Sequence, residues 1–148
     1  MSTDVEQLER ELAILLRRAR AFSDGLARTV HPDLEAAAYG LLMHVVDGYV
    51  EDPSGVRAAD LADFFGIDKS TVSRQVRFLE QLGLLARSSD PVDARVLRLI
   101  PTEEGLHRLA TARQARRTRV RARVADWTED DVAALAALLA RFNAAHVS

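Results

Sequence analysis

Between Gly66 and Leu85 the chain reads GIDKSTVSRQVRFLEQLGLL, a short stretch that combines three hydroxyls with two arginines. At about 100° per residue on a helix, Val72, Val76, Leu79 and Leu82 fall on one side, while Ser70, Ser73, Arg74, Arg77 and Gln81 gather on the other. One face must pack and the other must stay wet. Thr71 joins Ser70 and Ser73 as a short group able to donate and accept close to the backbone, and a guanidinium can grip the O6 and N7 edge of a guanine or a phosphate in a fork. Such a set is suited to reading a major groove: a helix anchored by packing, with short polar groups near the bases and long cations reaching outward.

A second chemistry-bearing group follows. LLARSS and RVLRLI alternate apolar with polar residues and flank DPVDA, whose aspartates and proline form turns, so residues 84–100 predict a β-hairpin. Arg95 stands at the base of that turn, where it can enter a minor groove whose narrow negative channel favours guanidinium. Asp93, two residues earlier on the same side, is placed to hold Arg95 extended.

These groups need a scaffold. RAADLADFFGI predicts a short helix with Leu61, Ala62 and Phe65 inward, stopped at Gly66, and Asp68 is placed to cap the next helix through the amide of Ser70 or Thr71. Two helices around a tight turn, followed by a hairpin, make a helix-turn-helix with a wing. Upstream, Val5, Leu8, Leu12, Leu15, Ala19, Phe22 and Leu26 recur at steps of three and four and predict a helix–helix seam. Pro32 is expected in the first turn of a second helix bearing Leu34, Ala38, Leu41, Leu42, Val45 and Tyr49, ended by EDPSG. Downstream, Thr102 is expected to cap a long arginine-rich helix, and Thr128 with Asp131 to open a last one bearing Val132, Leu135, Leu138, Leu139 and Phe142.

Composition narrows the classes. The chain has 148 residues, 48% apolar and 28% charged, as expected for one folded domain, and no apolar run approaches the roughly 20 residues of a membrane span. Acidic groups stand at the start, where a signal peptide would be basic, so a cytoplasmic protein is expected. The absence of cysteine excludes thiolate chemistry and disulfides within the sequence. Net charge is only −2, but it is segregated: residues 1–56 hold five arginines against ten acids, and residues 105–125 hold seven arginines and no acid. Any attraction to nucleic acid must therefore be local.

The run from Leu61 to Gly105, LADFFGIDKSTVSRQVRFLEQLGLLARSSDPVDARVLRLIPTEEG, resembles the winged-helix core of the MarR family of bacterial transcriptional regulators. The resemblance rests on the LA of the first short helix, STVSR, LGLL, DPVDAR and TEEG, in that order. It departs from the usual pattern at Gln75, where many members are apolar, and at Val92, where many carry arginine. It implies a mainly α fold with a small β-hairpin wing: one domain over 1–148, a winged helix-turn-helix core at about 33–102, and dimerisation helices at about 1–30 and 103–148.

The resemblance also implies a homodimer joined through terminal helices, here through Val5, Leu8, Leu12, Leu15, Leu135, Leu138, Leu139 and Phe142. Each subunit would place one recognition helix and one wing on a pseudo-palindromic operator of double-stranded DNA, with Ser70, Thr71, Ser73, Arg74 and Arg77 in the major groove and Arg95 in the minor. Members commonly bind phenolic or lipophilic effectors in a crevice between the dimerisation helices and the winged domain; Phe22, His31, Tyr39, Met43, His44 and Tyr49 are the candidates to line it, and core packing is the competing role for each. A ligand-responsive repressor is the expected function. The competing class is a winged helix that binds protein rather than DNA. His31, His44, His107 and His146 show no paired spacing, so no metal and no cofactor is expected, and no serine elbow or phosphate loop suggests an enzyme.

Overall fold

The computed structural model describes residues 2–144. Along the chain run α1 (Ser2–Val30), α2 (Ala36–Glu51), β1 (Val56–Arg57), α3 (Ala58–Phe65), α4 (Lys69–Gln81), β2 (Leu85–Ser89), β3 (Leu97–Pro101), α5 (Glu103–Arg123) and α6 (Glu129–Ala144). The fold is mainly α with a small antiparallel sheet. Two compact units divide in the chain between Arg113 and Gln114. Among the described residues no helix is long and apolar enough to cross a membrane.

The core of the first unit forms where the apolar stripes end up. Leu26, Ala27 and Val30 of α1, six residues of α2 from Ala38 to Val46, Leu61 and Ala62 of α3, Val72, Val76 and Leu79 of α4, and Leu109 and Ala112 of α5 are buried. Leu99 of β3 is fully buried and is paired with Val56 on the neighbouring strand β1 and with Arg87 on the other neighbour, β2. The strand order is β1-β3-β2, so the expected hairpin gains a third strand of two residues. Phe65 is only half-buried, and its neighbour Phe64 is exposed.

Pro32 does not open α2. His31 ends the hydrogen bonding of α1 by donating its amide to Ala27, and its own carbonyl accepts from Leu34, so residues 31–34 turn and α2 begins at Ala36. Leu34 reaches the core from that turn rather than from the helix. In the second unit α6 opens as expected: Thr128 Oγ1 accepts the Asp131 amide at 3.1 Å and donates to the Asp131 carboxylate at 2.8 Å. No residue of α6 is buried.

Candidate nucleic-acid interface

The turn into α4 is built by two residues. Gly66 closes α3 in the left-handed conformation (φ 62°), and Asp68, extended, caps α4 by accepting from the Thr71 amide at 2.8 Å. The same carboxylate accepts the hydroxyls of Ser70 and, at 2.7 Å, of Thr71. Those hydroxyls, then the Thr71 amide, hold the Asp68 carboxyl well below the usual carboxylate range. From this anchored start Ser73, Arg74, Arg77 and Gln81 project to solvent, opposite the buried Val72, Val76 and Leu79. Arg74 Nη2 donates to Thr71 Oγ1 at 3.2 Å, which aligns the guanidinium along the exposed face.

Asp90 is the buried charge on which the wing turn is built. Its side chain is 1% exposed and accepts from Arg98 Nε at 2.6 Å and from the amides of Val92 and Asp93 at 2.9 and 3.1 Å. Chiefly the Arg98 guanidinium, then those amides, lower its pKa to about 2. Arg98 continues to the Gly55 carbonyl at 2.5 Å and to Asp52 at 3.5 Å, linking the turn to the loop before β1. Above this base Asp93 takes the Arg95 guanidinium in a fork, Nε at 3.1 Å and Nη2 at 3.2 Å, leaving the Arg95 side chain 90% exposed. Val92 stands free beside it.

Wing and helix are held together by Arg87 of β2, which forks onto Glu80 of α4 at 2.6 and 3.1 Å. Between them lies a cleft of about 210 Å³, with Ala58 and Ala59 of α3, Lys69 and Ser73 of α4, and Arg87 and Leu97 of the wing among its walls. A second cleft, of about 360 Å³, sets Arg74, Gln75 and Phe78 against the acidic turn of Asp33 and Glu35. The expected reading residues all lie in the first unit; Ser70, Ser73, Arg74, Arg77 and Arg95 are exposed, and Thr71 and Gln75 are half-buried.

Ser70 and Thr71 differ from expectation in what their hydroxyls do: both are already donors to Asp68. Asp90, Arg98, Arg57 and the Glu80–Arg87 pair were not singled out from the sequence. An aspartate beside proline reads as a turn former, and only the strand register reveals that Arg98 comes back to meet it.

The other candidates are spread more widely. Tyr39 is buried, and Phe22, His31, Met43, His44 and Tyr49 are half-buried. The His44 ring lies 4.0 Å from that of Phe64 and 5.6 Å from that of Phe65, joining α2 to α3. His31 Nδ1 accepts the Asp33 amide at 3.2 Å. None of the six lines either cleft above. Val5, Leu8 and Leu15 of α1 are exposed and Leu12 is half-buried; on α6, Leu135, Leu138, Leu139 and Phe142 are all exposed. Among the described residues no group of three or more histidines and acids is arranged to hold a metal, and His146 lies outside them.

Comparison with known proteins places these features. The MarR family pattern matches residues 51–97, from the end of α2 to the start of β3. The uncharacterized HTH-type transcriptional regulator YxaD of Bacillus subtilis (strain 168) is 34% identical over 143 residues, covering 97% of this chain and 95% of its own. Among solved structures, MarR superposes with a TM-score of 0.75 at 26% identity, over 92% of this chain and 88% of its own. Streptococcus pneumoniae FabT, solved in complex with DNA, superposes with a TM-score of 0.76 at 14% identity, over 94% of each chain, a likeness of fold. With a relative this similar along nearly its whole length, and the family pattern spanning the helix-turn-helix and the wing, the chain belongs to the MarR family of transcriptional regulators.

Proposed function

We propose that this chain works as a homodimeric, ligand-responsive repressor that reads a pseudo-palindromic site on double-stranded DNA. In this reading α4 lies in the major groove with Ser73, Arg74 and Arg77 toward bases and phosphates, Ser70 and Thr71 at its entry, and Arg95 in the adjacent minor groove. The observation that carries it is the two-sided build of α4: its apolar side is anchored in the core, and its guanidiniums stand in solvent beside a wing that displays Arg95. FabT, whose fold this chain shares, was solved on DNA, which supports the same placement.

The homodimer is supported by apolar side chains left exposed on α1 and on α6, and the two-fold site follows from a two-fold protein. In this reading the helices at 1–30 and 103–148 serve dimerisation and the segment 33–102 is the DNA-binding core. Effector binding belongs to the half-buried set around Phe22, Met43 and His44, and a cytoplasmic location fits a regulator that must meet the chromosome.

The test is selection of genomic fragments by the purified protein at two salt concentrations. Recovery of a two-fold sequence, bound more weakly as salt rises, supports the reading. Retention of no fragment above background at low salt defeats it, and would favour a winged helix that binds protein.

A further inference from the structure

The flank of α4 that faces the wing carries its own set of groups. At about 100° per residue, Lys69, Ser73 and Glu80 fall within about 40° of one another, between the buried Val72 and Val76 and the outer face of Arg74 and Arg77. From the sheet, Arg87 and Leu97 project on one face, because Arg87 pairs with Leu99 and Leu97 lies two residues before it on β3. The two sets meet. Lys69, Ser73, Arg87 and Leu97 line one cleft of about 210 Å³, together with the apolar Ala62, Val72 and Val76.

Glu80 fixes how Arg87 stands there. Arg87 Nε donates to Oε1 at 2.6 Å and Nη2 to Oε2 at 3.1 Å, a planar fork that sets the direction of the guanidinium. Asp93 holds Arg95 by the same kind of fork. Arg87 Nη1 has no partner among the described residues, and the side chain is 48% exposed. Lys69 and Ser73 are exposed, and their side chains have no partner among the described residues either. The cleft thus offers an ammonium, a hydroxyl and the free end of a guanidinium. On the other flank of α4, the second cleft sets two carboxylates, Asp33 and Glu35, against the single cation Arg74. A polyanion is therefore drawn to the wing side of the helix. A protein with a helix in a major groove and a wing in the neighbouring minor groove must straddle the sugar–phosphate strand between them, and the cleft between α4 and the sheet lies on that line.

We infer that Arg87, aimed by Glu80, binds a backbone phosphodiester of the DNA strand that runs between the two grooves, with Lys69 and Ser73 completing the contact from α4. The inference rests on the DNA reading above. It assigns Arg87, Lys69 and Ser73 to register and sequence-independent affinity, in contrast to the base-reading role of Arg74. Glu80 is a positioning residue that acts through Arg87.

The experiment measures affinity against salt for the full-length protein and for Arg87→Gln, Arg87→Lys, Glu80→Ala and Lys69→Gln, on the selected site and on a scrambled duplex. Arg87→Gln removes one phosphate contact from each subunit, so for a two-fold dimer the slope of log affinity against log salt should become shallower by about two units, with both duplexes weakened by a similar factor. Arg87→Lys should keep the slope. Glu80→Ala takes a negative charge away from the DNA and should nevertheless weaken both duplexes by about fivefold, with no further loss in an Arg87→Gln background. A wild-type slope in Arg87→Gln, with binding retained, overturns the contact. Tighter binding in Glu80→Ala reduces Glu80 to a repelling charge and overturns its positioning role. Should Arg87→Gln lose thermal stability and sequence preference at an unchanged slope, the pair only braces the wing and the inference is wrong. Lys69→Gln, at the exposed first residue of α4, reads the same cleft where Arg87→Gln fails to fold, and an unchanged slope there overturns the contact as well. A wild type that binds neither duplex overturns the DNA reading with it.

Discussion

Arg74 and Asp90 are charged residues with opposite tasks, and their surroundings separate them. Arg74 is exposed and lightly tethered to Thr71, so it keeps the freedom to fork onto a guanine. Arg74→Ala should cost about 1–3 kcal/mol at the cognate site and flatten its sequence preference, measured by binding to single-base variants of the site. An equal loss on all sequences would make it a phosphate contact. Asp90 is enclosed, and Arg98 is its main counter-charge. Arg98→Met leaves that carboxylate with two amides and the longer ion pair to Arg57 at 3.5 Å, and should destabilise the fold by about 3 kcal/mol, read from denaturant unfolding. The Asp90 pKa is depressed from 3.8 to about 2, so its contribution is complete above pH 4 and is lost as pH falls toward 2. The stability gap between the wild type and Asp90→Asn should therefore be constant near neutral pH and close between pH 4 and 2. None of this could be read from residue type: Arg74 was legible because helical spacing alone puts it outside, whereas Asp90 is buried by a partner eight residues on, across the hairpin.

Legibility at the level of elements follows the range of the interactions that define them. The helix–turn–helix was readable because Gly66, Asp68 and the apolar spacing of α4 are all local signals, and the hairpin because its strands alternate. The two-residue β1 was not, since it exists only through pairing with β3, some 40 residues away in the chain. The start of α2 slipped from Pro32 to Ala36 because proline suits a turn as well as a first helical position, and the bond from Leu34 to His31 decides between them. The junction of α4 with α5 was also only half visible. Thr102 was recognised as a cap, and its hydroxyl does accept the Gly105 amide at 3.0 Å, but it donates in turn to the Gly83 carbonyl at 2.6 Å, pinning α5 to the corner that ends α4. At Gly105 a β-carbon would lie 2.1 Å from the Leu84 carbonyl oxygen, and backbone on both sides leaves little room to yield. Gly105→Ala should lower stability by about 1–3 kcal/mol, seen as a reduced denaturant midpoint at unchanged slope. It should also weaken DNA binding, because the wing and α4 share that corner.

For the molecule as a whole, the open question is what covers the apolar side chains of the terminal helices. Leu138 is 57% exposed in a helix without one buried residue, and Val5, Leu8 and Leu15 are similarly bare on α1. Leucines repeated along a helix gain nothing from water, and a second copy of the chain is the partner the proposed function supplies. A two-fold interface uses each surface twice, so a substitution counts in both subunits. Losing the buried part of one leucine costs about 1.5 kcal/mol, or about 3 kcal/mol per dimer, which is roughly a hundredfold in dissociation constant. Leu138→Ala should raise the dimer dissociation constant by about that factor in sedimentation equilibrium, and Leu8→Ala tests α1 in the same way. Arg74→Ala, a substitution on α4 rather than on either of these helices, should leave it unchanged. At protein concentrations below the new constant the leucine variants should lose the two-fold site and keep only the weak, salt-sensitive binding of single subunits, because a lone winged helix brings half the contacts and no fixed spacing. A Leu138→Ala protein that stays dimeric at those concentrations would remove α6 from the interface.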